Sequence, residues 1–177
     1  MPADQIVPAL PKTAWFNAVG LPIGDTERDE CELYLQGLGA KACAIEIVST
    51  WDEALALSQR TSWANTWWER ERYAERKLFE QASAHHSADA VLLRLANLMQ
   101  GSSALFLSPA SLACMRAGVT NTAIAKSAAG AAAQCLHQYG LASIAGQGDQ
   151  HPFAAKFRLF LAGRWPLCVS DEKFHIF

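Results

Sequence analysis

Apolar residues recur every three or four positions along most of this chain, a spacing that predicts helices. The longest such pattern covers 62–84, where Trp63, Trp67, Ala74, Leu78 and Ala82 share one stripe. Charged residues take the other faces, and the pairs Arg72–Glu75 and Arg76–Glu80 fall at helical neighbour spacing. Each such pair adds ~0.3 kcal/mol to an exposed helix. Ser87 caps a second strong helix with Ala88, Val91, Leu92, Leu95, Ala96 and Met99 on one side and Gly101 as its stop. Leu93 and Leu98 add apolar area on another face, which places this helix centrally. Upstream, Asp25 is the expected N-cap of a helix running to Gly37 or Gly39, its first turn made acidic by Glu27, Asp29 and Glu30. Thr50-Trp51-Asp52-Glu53 matches a capping box and predicts a helix over 51–60.

Downstream, Ser108 and Pro109 read as an N-cap and first helical residue, opening a short helix that ends near Gly118. Thr120 or Asn121 starts the next, with Ile124, Ala128, Ala132, Cys135, Leu136 and Tyr139 on its core face and Gly140 as its end. The run Ala128-Ala129-Gly130-Ala131-Ala132-Ala133 has so little bulk that a neighbouring helix can approach closely. Gly140–Gln150 reads as a loop, and Pro152 opens a last helix bearing Phe153, Phe157, Phe160 and Leu161, ended by Gly163.

The period then changes. Trp165, Leu167 and Val169 alternate, Ser170-Asp171-Glu172-Lys173 looks like a turn, and Phe174-His175-Ile176-Phe177 favours β structure. These features predict a C-terminal β-hairpin over about 164–177, laid against the helices. Residues 40–49 are ambiguous, with Ile45, Ile47 and Val48 favouring a strand and Ala40, Ala42 and Ala44 a helix; the reading taken is helix. Pro2, Pro8, Pro11 and Pro22 make residues 1–24 an irregular arm, part of which Trp15, Phe16, Val19 and Leu21 would pack down. The expected fold is mainly α: a single-domain multi-helix bundle over 25–177 with a short C-terminal β-hairpin.

Composition narrows the function. With 177 residues, 51% of them hydrophobic and 18% charged, the chain can bury a sizeable core. A net charge of −2 without a basic stripe speaks against nucleic acid as a partner. The opening residues lack a signal-peptide pattern, and no apolar run of roughly twenty residues marks a membrane span. Cys31, Cys43, Cys114, Cys135 and Cys168 are odd in number and without CxxC spacing, as expected of reduced thiols in a cytoplasmic protein. No membrane contact is expected, while a homo-oligomer stays open.

Candidate chemistry is sparse. Gly37-Leu38-Gly39-Ala40-Lys41-Ala42 fits a dinucleotide fingerprint but follows a predicted helix where that motif needs a strand, so a helix C-cap is the better reading. His85 and His86 are adjacent, about 100° apart around a helix, and cannot converge on one metal ion. No GxSxG or GxxxxGK[ST] motif occurs. Cys114 near Arg116, Cys168 near Arg164, and His175 among aromatics are the residues from which an enzyme would have to be assembled. The expectation is therefore no catalytic residue, no cofactor and no metal.

Six tryptophans stand out, with Trp63, Trp67 and Trp68 crowded on the 62–84 helix and Trp68 about 100° from the other two. Tryptophan and arginine are favoured anchors of protein interfaces. A docking surface is accordingly expected from Trp63, Trp67, Trp68, Arg70 and Arg72, joined by Trp165, Phe174, His175 and Phe177 of the hairpin.

The segment 157–167, Phe-Arg-Leu-Phe-Leu-Ala-Gly-Arg-Trp-Pro-Leu, with the hairpin to Phe177, the Trp67-Trp68 pair and the alanine run, resembles a family of small helical proteobacterial proteins of unknown function. Some of these are encoded in type VI secretion gene clusters. The resemblance covers the last two-thirds of the chain and carries over no functional residue. It implies a cytoplasmic accessory role, as an adaptor or chaperone-like loader bound to a secretion effector or component. An immunity protein against a cognate toxin and an enzyme with an unrecognised Cys/His site are the alternatives.

Overall fold

The computed structural model describes Leu10 and residues 13–40, 43–59 and 65–177. The protein is mainly α, with short strands gathered at the C-terminal end. In chain order the elements are α1 (Asp25–Gly37), β1 (Ala44–Ile47), α2 (Trp51–Ser58), α3 (Asn65–His85), α4 (Ala88–Met99), α5 (Ser102–Arg116), α6 (Thr122–Ile144), α7 (Pro152–Leu161), β2 (Pro166–Ser170) and β3 (Lys173–Ile176).

Local cap chemistry sets many of these boundaries. The Thr50 hydroxyl accepts the Glu53 N–H at 3.2 Å, and the Glu53 carboxylate reaches back to Ser49 N–H at 2.9 Å and Thr50 N–H at 3.3 Å. Ser87 accepts from Ala90 N–H and Asn121 from Ala123 N–H, starting α4 and α6. The α1 helix begins one residue before Asp25 would cap it: Gly24 is the N-cap, and its N–H is met by the Glu27 carboxylate at 2.7 Å. Gly39, at φ +74, turns the chain out of that helix, so the described part of the glycine fingerprint is a C-cap.

Three expectations fail for one reason: contacts from elsewhere in the chain overrule local signals. Residues 44–47 form a strand, not a helix, because β1 pairs in parallel with β3, with Ala44 opposite Lys173 and Ile47 opposite Ile176. The predicted hairpin, turned at Asp171 and Glu172 with both φ near the left-handed region at 50° and 59°, thus gains a third strand in the order β1-β3-β2. Helix α5 starts at Ser102 and carries Pro109 in its interior. The missing N–H costs about 3 kcal/mol, yet the buried series Ser102, Phe106, Ala110 and Cys114 runs straight through it.

Helix α6 likewise runs past Gly140 to Ile144, which removes the first turns of the expected loop. A Cβ on Gly140 would stand 2.1 Å from Leu98 Cδ2, so the glycine is there to let α4 close on α6. The alanines do the same work further along, where Ala128, Ala129 and Ala132 are buried in the core shared with Phe106, Ala110 and Cys114 of α5.

Candidate interaction surface

The expected aromatic docking surface does not lie on the outside. Trp67 is buried with its ring 5.3 Å from Tyr34, and Phe174 packs 5.7 Å from the same tyrosine. Trp165 and Phe177 are buried around Trp51, at 6.2 and 4.9 Å between ring centres. Large rings release the most water when buried, and here each finds another ring to meet. His175 is also buried, its Nε2 2.9 Å from Ser170 Oγ. Trp68 is half-buried, Arg70 and Arg72 are exposed, and Trp63 lies outside the described residues.

The hairpin does assemble groups that lie apart in the sequence. Cys168 faces His175 across the strands, and Ser170 bonds to the same imidazole. With Ser170 at 1% and His175 at 5% exposure, the pair is buried and links the two strands. The Cys114 thiol is pushed above its ordinary range by burial, as are those of Cys31 and Cys135, both to about 12. A protonated thiol is a poor nucleophile. Among the described residues no cluster of three or more His, Cys, Asp or Glu side chains is arranged to hold a metal ion.

Beneath the sheet, a buried polar network ties four helices together. Glu71 of α3, 2% exposed, accepts from Lys156 Nζ of α7 at 2.6 Å and from the Tyr34 hydroxyl of α1. Lys156 also donates to Gln138 Oε1 of α6 at 3.2 Å. Burial opposes the Lys156 charge, but Glu71 outweighs it and the ammonium titrates above its usual range. Burial, with Glu71 adding to it, holds the Tyr34 phenol well above its own. A second clamp is Arg164, whose Nε meets Glu27 Oε1 at 2.5 Å while its other nitrogens donate to the carbonyls of Ala18, Leu21 and Pro22. Apart from Gln138 Nε2, which is buried without a hydrogen-bond partner, these groups meet one another, and Arg164 fixes the arm and α1 against the helical body.

Among the described residues nine large hydrophobic side chains are exposed; Leu21, Leu33, Ile47 and Tyr73 are scattered, and the other five lie on two successive helices. Leu92 is 55% exposed, Leu93 63%, Leu107 37%, Leu112 46% and Met115 72%, all on the successive helices α4 and α5. The buried sides of both helices seat them along α6, Val91 and Leu95 packing in one core cluster with Leu141 and Ala142, and Leu98, Phe106 and Ala110 in another with Ala128, Ala132 and Leu136. The outer side is what remains, so α4 is not the central helix its composition implies. The stretch Ala88–Arg116 is apolar enough in length and composition to pass as a membrane span, but it is two helices divided at Gln100 and the left-handed Gly101.

The charge pattern of this region is also distinctive. No carboxylate side chain occurs between Asp89 and Asp149, while Arg94, Arg116 and Lys126 are all exposed within that span. This absence is legible in the sequence, independently of where its aromatic residues fall. Helices α4 and α5 thus combine exposed aliphatic side chains with an excess of cations over their one carboxylate, Asp89. No protein-family model, curated protein or solved structure matches the chain.

Proposed function

We propose that this protein is a non-enzymatic binding module that docks an acidic amphipathic segment of another protein across the outer face of α4 and α5. The observation carrying this reading is the group of exposed aliphatic side chains on two helices whose one carboxylate is Asp89, beside the exposed cations Arg94 and Arg116. A second copy of the chain is a less favourable occupant, since Arg94, Arg116 and Lys126 outnumber Asp89, the one carboxylate of α4, α5 and α6, and self-docking would bring like charges together. An accessory role beside a secreted effector, as adaptor or loader, is the setting we assign to it, following the resemblance in the last two-thirds of the chain.

The test uses two designed helical peptides with the same leucine stripe, one flanked by glutamates and one by lysines. The acidic peptide should bind the intact protein, lose affinity as salt rises, and lose it on L93E/M115E. Both peptides binding alike, neither binding, or a preference for anionic lipid vesicles over the acidic peptide would overturn the reading.

A further inference from the structure

A cavity of about 320 Å³ opens between the end of α1, the middle of α3 and the start of α7. Its lining is divided by chemistry. Leu38, Ala74 and Leu78 supply an apolar part, and Arg70, Tyr73, Lys77, Gln81, Gln147 and His151 supply the polar part. No Asp or Glu is among the lining residues. That is unusual on α3, whose outer faces alternate Glu69, Glu75 and Glu80 with basic residues.

Several of these polar groups are already oriented. Arg70 donates to the carbonyl of Gly39 and so neutralises the negative end of α1, where carbonyls would otherwise repel an anion. Lys77 Nζ lies 4.9 Å above the Tyr73 ring, exposed and at the cavity's edge. Gln147 donates its amide to Gln81, joining the turn after α6 to α3. His151 caps α7 through Nδ1, which accepts the Phe153 N–H at 3.2 Å. A neutral imidazole that accepts at Nδ1 carries its hydrogen on Nε2, and burial keeps His151 neutral by lowering its pKa to about 4. The ring is therefore a fixed donor at physiological pH.

We infer that this cavity binds a small organic monocarboxylate, with its acid group held by Lys77 and Arg70 and its hydrocarbon body on Leu38, Ala74 and Leu78. With no Asp or Glu in the lining, although Glu80 lies near enough to act on Lys77, the two cations select the charge, and the apolar part selects a body that inorganic phosphate lacks. The site is separate from the α4–α5 face and does not depend on the function proposed for it.

Benzoate, its neutral analogue benzamide, and inorganic phosphate are the probes, followed by amide NMR shifts of the intact protein. Benzoate should give saturable shifts at Gly39, Lys77, Gln81 and Gln147, and bind about tenfold tighter than benzamide, equivalent to ~1.4 kcal/mol. K77Q, at an exposed position that leaves the fold intact, should weaken benzoate about fivefold or more, and L93E/M115E should leave it unchanged. Equal binding of benzoate and benzamide, phosphate matching benzoate, indifference to K77Q, or no saturable shift would each overturn the inference.

Discussion

The two sides of this molecule treat their most distinctive residues in opposite ways. Around the sheet and α1, large aromatic and charged side chains are sealed in and paired: Tyr34 with Trp67 and Phe174, Lys156 with Glu71, Arg164 with Glu27. Along α4 and α5 the side chains are chemically plain, and five large aliphatic ones are left in water. Rings and charges that look like binding anchors can be structural once each has a partner. Leucine, the residue least often noticed in a sequence, is here the one left without cover.

This contrast can be broken most forcefully at the buried network. E71A strands the Lys156 charge in the core and should cost about 3–5 kcal/mol in urea denaturation. E71L/K156M, which removes both charges, should recover most of that loss; a double variant as unstable as E71A would show that the pair itself stabilises the fold. Substitution at the closest helix approach ranks next. G140V forces a side chain toward Leu98 and should lower stability by about 1–3 kcal/mol through overpacking, measurable as a lower Tm.

The pH dependence sharpens the same comparison. Lys156 and Tyr34 both titrate higher in the folded state than in the unfolded chain. Above about pH 10 the unfolded chain loses these protons first, so stability present at neutral pH should fall as pH rises toward the folded values. K156M should flatten part of that slope, and an unchanged slope would remove Lys156 from the account. At the other extreme, L93E/M115E touches only exposed positions. It should change stability by no more than about 0.5 kcal/mol, whereas a cooperative loss of structure on circular dichroism would mean that the face is part of the core.

Much of the helical framework was legible because its signals are local. Thr50 and Glu53, Ser87 and Asn121 meet backbone groups within a few residues of themselves, and Pro152 has its φ preset for a first helical turn, so the chain announces those helix starts. Strand β1 was not legible, because its partner β3 lies at the far end of the sequence and only pairing decides between Ile45 and Ala44. Pro109 and Gly140 misled for a related reason: each signals a helix boundary locally, and burial against α6 or α4 keeps the helix going. The interaction surface was the least legible feature. Periodicity shows that α4 is apolar on more than one side, but only the position of α6 decides which side is covered.

The strand order carries a consequence for synthesis on the ribosome. β3 lies between β1 and β2 although its residues, 173–176, are translated after both. Helices α4, α5 and α6 can pair as soon as they emerge, since their contacts are close in sequence. The sheet must wait, with Ile45 and Val169 lacking the strand that joins them, and a nascent chain stalled before residue 173 would present two open edges to other polypeptides.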